Sequence, residues 1–176
     1  MAVSLSQPDG SELLSRWVVE HARAVRGFLL GMVRKEDVAD DLLQDVFRRA
    51  WQARERYREQ GQARAFLMRI ADRLVCDRAR RLGVEINVDF DAWQQLEPAV
   101  DDDPTAPLLR DETGQALAAA LDQITPIQRR VLLLRFYGGM EFAEVAKTLG
   151  APLNTVLSHC RRGLLTLRKL LAENLP

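Results

Sequence analysis

The residues whose type and spacing most clearly carry chemistry in this chain are arginines. Residues 46–81 hold eleven of them against four carboxylates, whereas the preceding EDVADDLLQD at 36–45 holds five carboxylates and no base. A guanidinium presents a planar fork of donors that matches phosphate, so a surface this rich in arginine suits a polyanion. The acidic run beside it suits a second, protein partner. Within the basic stretch, Tyr57-Arg58-Glu59-Gln60-Gly61-Gln62-Ala63-Arg64 sets an aromatic ring, arginines and amides around a glycine. Such a loop fits unstacked single-stranded bases: rings and guanidinium planes stack, amides meet base edges, and arginines hold the backbone. Beyond it, Arg69, Arg73, Arg78, Arg80 and Arg81 are expected mostly along one side of a helix, facing phosphates.

A second constellation lies near the C-terminal end. Residues 142–163 have the pattern of two helices crossing at a tight turn. Ala146 stands where the backbones approach, Gly150 where the turn needs a positive φ, and Val156 where the second helix plugs the first. That second helix carries Arg161, Arg162, Arg168 and Lys169 and no carboxylate from 154 to 172. Val156, Cys160, Leu164 and Leu167 are expected to face inward. Asn154, Thr155, Ser158, His159 and Arg162, together with Arg161, are expected at its exposed N-terminal end, where a recognition helix meets base edges and phosphates.

Catalytic chemistry finds no comparable support. His21 and His159 fall in different halves of the chain, and neither has a cysteine or carboxylate at ligand spacing. Cys76 and Cys160 make no CxxC pair and both sit on apolar stripes, which suits structural thiols. Asp40, Asp41 and Asp45 lack the glycine-centred loop that would hold a divalent ion. Nucleophile motifs and glycine-rich phosphate loops are missing too. The expectation is a protein that is not an enzyme and takes no cofactor or metal.

The elements that must position these groups read as helices throughout. Leu13, Leu14, Trp17, Val18, Val25, Phe28, Leu29 and Met32 repeat at threes and fours, giving a helix over roughly 11–33. Val38, Leu42, Leu43, Val46, Phe47, Ala50 and Trp51 predict a second over 37–56. Phe66, Leu67, Ile70, Ala71, Leu74 and Val75 predict a third over 62–82, closed by Gly83. Leu117, Leu121 and Ile124 then mark a further helix. Thr125-Pro126-Ile127-Gln128 reads as a helix start, with Thr as cap, Pro at the first helical position and Gln three after the cap. That helix runs to Gly138-Gly139, a short one follows over 142–149, and the last covers 153–172. β-branched residues never alternate over a strand length, so the fold class is all-α.

Charge divides the chain where the helices do. The whole 176 residues balance 25 bases against 25 acids, with 47% apolar residues, enough for packed cores. Residues 1–83 nevertheless carry a net +4, 84–112 a net −8, and 113–176 a net +4. The acidic stretch contains Pro98, Asp101-Asp102-Asp103-Pro104 and Pro107 without helical period, and reads as a linker between two small helical domains, 1–83 and 113–176. No basic and apolar leader opens the sequence and no apolar run is long enough to span a bilayer, so a cytoplasmic location is expected.

On these residues the sequence resembles the extracytoplasmic-function (ECF) class of bacterial sigma factors, small members of the sigma-70 family. The matching stretches are ADDLLQDVFRRAWQARERYRE and ARAFLMRIADRLVCDRARR in the first domain. In the second they are LDQITPIQRRVLLLRFYGGMEFAEVAKTLGAPLNTVLSHCRRGLLTLRKLL. The resemblance implies that Asp40, Asp41, Leu42, Gln44, Asp45 and Phe47 dock on the clamp helices of the polymerase largest subunit. It implies that Tyr57, Arg58, Arg64, Phe66 and the arginines of the following helix open the −10 element and capture its non-template strand. The recognition helix would read the −35 element as duplex, and helix 128–137 would engage the flap of the second-largest subunit. The acidic linker would follow the RNA path, and an anti-sigma partner would cover the polymerase-binding faces.

Some positions depart from the family pattern. Leu157 and His159 replace basic residues common among relatives, so weaker phosphate affinity and a different −35 preference are expected. Phe66 replaces a tryptophan and Arg73 a frequent asparagine, which bears on the base flipped at −10. The competing reading is a stand-alone helix-turn-helix regulator. The two differ in one behaviour: a regulator binds its duplex alone, whereas two modules of about +4 each need a larger machine to hold them together.

Overall fold

The computed structural model describes residues 10–57, 62–83 and 112–174. Arg58 and nearly all of the acidic 84–112 stretch lie outside the described residues. Seven α-helices and one 3-10 turn make up the described chain, with no strand among those residues. They are α1 (Gly10–Val33), α2 (Glu36–Gln52), the turn Arg54–Arg56, α3 (Ala63–Arg81), α4 (Glu112–Gln123), α5 (Pro126–Phe136), α6 (Phe142–Leu149) and α7 (Leu153–Asn174). The chain divides into two compact units, Met1–Arg78 and Ala79–Pro176.

In the first unit α1 and α2 form an antiparallel pair, the simplest way for two amphipathic stripes to cover one another. Helix α1 buries Trp17, Val25, Phe28 and Leu29, and α2 buries Ala39, Leu42, Val46 and Ala50 at three- and four-residue steps. The chain reverses between them at Arg34, whose φ of 60° is left-handed. A fork of hydrogen bonds then ties the pair: Arg26 donates from Nε to Asp40 Oδ1 at 2.6 Å and from Nη2 to Oδ2 at 3.2 Å. This bonding holds the Asp40 carboxyl below its ordinary range and raises the Arg26 guanidinium.

Two expectations need correction here. Val18 lies on the outer side of α1, 41% exposed, rather than on the apolar stripe. Helix α2 also stops at Gln52 instead of continuing to residue 56. After Trp51 no buried side chain anchors another turn, and Arg54 closes the end instead. Its guanidinium lies 4.1 Å from the Trp51 ring centroid, and its Nη1 donates to the Trp51 carbonyl at 3.0 Å.

In the second unit α5 is the central helix, burying Ile127, Arg130, Val131, Leu132, Leu133 and Leu134. A helix apolar nearly all round must be surrounded, and both α6 and α7 pack on it. It starts as expected: Gln128 N donates to Thr125 Oγ1 at 3.4 Å, and Thr125 N donates back to Gln128 Oε1 at 3.3 Å, with Pro126 opening the helix. Arg129 binds the end of α4 through the Leu121 carbonyl at 2.7 Å and Asp122 at 3.5 Å. At the α6 end Gly150 takes φ 64°, and Ala151 N donates to the Ala146 carbonyl at 3.0 Å, reversing the chain into α7. Helices α5 and α7 approach closely at Gly163, where an added Cβ would come within 2.9 Å of Leu132 Cδ1.

Candidate nucleic-acid interface

Helix α3 buries Ala63, Ala65, Leu67, Met68, Ala71, Asp72, Leu74 and Val75, so its outer side is the complement of that set. At about 100° per residue, Arg69, Arg73 and Arg80 fall within about 40° of one another on that outer side. Arg78 and Arg64 lie roughly opposite, and Arg81 between. The arginines are therefore not all on one side: three make the stripe, and the others flank the helix ends. Arg64, Arg73, Arg80 and Arg81 are exposed, whereas Arg69 and Arg78 are half-buried.

The aromatic groups next to this stripe form a cluster. Tyr57 meets Trp17 edge to face with centroids 5.0 Å apart and planes at 88°. Phe66 lies 5.6 Å from Trp17 and 5.0 Å from Tyr57. Trp17 is only 1% exposed, but Tyr57 and Phe66 are half-buried and keep part of their rings at the surface. The cluster thus anchors both ends of the loop between α2 and α3 while showing ring surface beside it. Tyr57, read from the sequence as a stacking platform, is at the same time a packing residue.

On α2 the acidic run resolves into distinct environments. Asp41 and Gln44 are exposed, Phe47 is half-buried, and Asp45 accepts from Arg48 Nη2 at 2.9 Å one turn on. Asp40 is bound to Arg26. Leu42, expected on the docking face, is buried at 7% exposure among the core residues. The face open to a partner is therefore the line Asp41, Gln44, Asp45.

Helix α7 carries the largest change from expectation. Val156, Cys160 and Leu167 are buried, as their spacing predicts. Thr155 and His159, expected at the exposed tip, are buried as well, at 6% and 8% exposure. The cause is that α7 packs against α4, α5 and α6, so its inner side is wider than one apolar stripe. Asn154 and Arg161 are exposed, with Ser158 and Arg162 half-buried. Two leucines that the reading of candidate groups left aside, Leu153 and Leu157, stand with them at the surface. Leu157 was visible in the sequence only as a replaced basic residue.

Burial also sets the protonation of the two inner groups. It pushes the Cys160 thiol up to about 11, which leaves it a neutral packing group, while Cys76 is half-buried. Burial, with the nearby Arg162 charge, holds the His159 imidazolium pKa below its ordinary value. The folded chain then resists a proton that the unfolded chain accepts. Its contribution is complete above about pH 6.5 and is lost as pH falls through the lowered folded value. The melting temperature of the second unit should therefore fall between pH 7 and pH 5, and His159→Gln should flatten that dependence in a calorimetric pH series.

Comparison with known proteins now bears on this geometry. The family model for sigma-70 region 2 matches residues 17–84, and that for sigma-70 region 4 matches residues 114–167. The ECF RNA polymerase sigma factor SigK of Mycolicibacterium vanbaalenii is 30% identical over 178 aligned positions, covering 95% of this chain and 85% of its own. SigE of Mycolicibacterium smegmatis, also an ECF RNA polymerase sigma factor, is 31% identical over 96% of this chain and 64% of its own. Among solved structures, the sigma factor RpoE of Bartonella quintana, crystallised with the anti-sigma factor NepR, shares the fold. Its TM-score is 0.69 at 23% identity, covering 92% of this chain and 98% of the other. CnrH, solved with the cytosolic domain of CnrY, gives 0.57 at 26% identity, over 93% and 88%.

Helical units of this kind, one with an arginine-striped helix and one with a helix-turn-helix, are the two parts of a promoter-reading protein. The chain belongs to the sigma-70 family, in its ECF class of RNA polymerase sigma factors. Its function is to direct the core polymerase to promoters and to start transcription there, and the stand-alone regulator is not favoured.

Proposed function

We propose that the sigma activity is divided among the surfaces described above. The exposed line Asp41, Gln44, Asp45 on α2 meets the largest subunit of the polymerase. The stripe Arg69, Arg73, Arg80 holds the backbone of the opened −10 strand, beside ring surface of Tyr57 and Phe66 on which a base stacks. Asn154, Ser158, Arg161 and Arg162 on α7 face the −35 major groove, and residues 84–112 link the domains 1–83 and 113–176 along the RNA path. The observation that carries this division is the alignment of Arg69, Arg73 and Arg80 on the outer side of α3, next to a half-exposed aromatic cluster. Bond making belongs to the polymerase, so the chain works without a catalytic group of its own, in the cytoplasm where the polymerase acts.

The same polymerase-facing surfaces suit an inhibitory partner of the anti-sigma kind, as in the complexes of RpoE and CnrH. The α2 assignment is tested by gel filtration with purified bacterial core polymerase. The wild-type chain is expected to co-elute, and Asp41→Ala with Gln44→Ala to co-elute weakly while keeping its helical circular-dichroism spectrum. Undiminished co-elution of the double variant would remove α2 from the interface.

A further inference from the structure

We propose that Leu157 reads the 5-methyl group of a thymine in the −35 major groove, with Leu153 extending the same apolar edge. This rests on the placement of α7 in that groove. Leu153 is 44% and Leu157 40% exposed, and they stand one turn apart on the surface that also carries Asn154 and Arg161. Thr155 and His159, the polar groups on neighbouring positions, are turned inward. The N-terminal half of the recognition helix therefore shows an apolar edge flanked by one amide and the arginines, instead of a row of hydrogen-bonding groups.

The surroundings identify the occupant. Helix α7 bears Arg161, Arg162, Arg168 and Lys169 and no carboxylate before Glu173, so whatever meets this side is a polyanion. Two part-exposed leucines are far too little for a protein interface, which takes on the order of 800 Å² from each partner. In the major groove the one apolar feature of a base edge is the thymine methyl, and it is met by apolar side chains. Four residues of helix rise about 6 Å, close to two base steps of 3.4 Å, so Leu153 and Leu157 meet pairs about two steps apart. Each exposed leucine loses water-facing apolar surface only where a methyl group is there to cover it.

The test uses holoenzyme assembled from purified core and the full chain. Duplexes are selected by binding from a library randomised across the −35 region, and each thymine of the selected sequence is then replaced singly by deoxyuridine, which removes only the methyl. Holoenzyme affinity is expected to drop about fourfold at the position facing Leu157, the effect of one buried methyl-sized group. Leu157→Ala, at a part-exposed position that leaves the fold intact by circular dichroism, should bind thymine and deoxyuridine equally there while keeping any methyl effect due to Leu153. Deoxyuridine tolerated at every position, or a methyl effect that survives in Leu157→Ala, overturns the proposal although −35 selection persists. Absence of any −35 selection by holoenzyme overturns instead the placement of α7 on which it rests.

Discussion

Replacing Arg73 and Arg80 together with glutamate should lower promoter opening by roughly 100-fold or more while leaving assembly with core polymerase intact. Both side chains are exposed on the outer side of α3, away from its buried alanines, Leu67, Met68 and Leu74. A charge-assisted hydrogen bond to phosphate contributes about 1.5 kcal/mol or more, so losing two removes about 3 kcal/mol, two decades in affinity. Reversal of sign adds repulsion from the strand. The milder Arg73→Ala, Arg80→Ala pair should reduce the slope of log affinity against log salt by about two, one for each lost phosphate contact. Permanganate footprinting of unpaired thymines at −10 reads the opening step directly, and gel filtration reads core association. Opening that survives the glutamate pair would detach the stripe from the −10 element.

Trp17→Ala should cost the first unit about 3–5 kcal/mol, the range for deleting a buried large aromatic. The ring is 1% exposed and is the member of the cluster on which both Tyr57 and Phe66 lean. Its loss opens a cavity at the base of α1 and also frees the two residues that bracket the α2–α3 loop. A domain of this size has about 5–15 kcal/mol in total, so a large share of its stability goes with one side chain. Trp17→Phe keeps most of the apolar volume and should cost markedly less. Because the second unit has its own core around α5, its unfolding should not move. Chemical denaturation followed at two probes, one in each unit, is expected to show the first transition shifted and the second unchanged.

The parts of the fold legible in the sequence are those fixed by local chemistry. Thr125-Pro126 with Gln128 announces the start of α5, and Gly150 the end of α6, because a cap and a left-handed turn each need particular residues whatever surrounds them. Apolar spacing placed α1, α3 and α7 to within a few residues for a similar reason: one stripe must be covered. The end of α2 was less legible, since Arg54 closes it by packing on Trp51, a contact with no spacing rule. Side-chain facing failed where several helices meet. Thr155 and His159 look like exposed polar groups in sequence, but α7 is enclosed by three neighbours and polar residues at its inner margin are buried with the rest. Leu42 is the reverse case: it lies in an acidic run that suits a partner, yet its position one turn from Val46 commits it to the α1–α2 core.

The same limit shaped the candidate site. Arginine content pointed to α3 as a phosphate-facing helix, but only the set of buried residues separates Arg69, Arg73 and Arg80 from Arg64 and Arg78. On α7, composition drew attention to the polar side chains, and burial redirected it to Leu153 and Leu157.

Electrophoretic mobility shift on a selected promoter duplex, with and without core polymerase, tests most directly whether the two modules read DNA only when held in place. Each domain carries about +4 with −8 between them, so the free chain should bind the duplex weakly and with little sequence preference. Core polymerase makes the second contact intramolecular and should raise specific affinity by roughly 10²–10⁴. Tight, sequence-specific binding by the free chain, unchanged when core is added, would contradict the account.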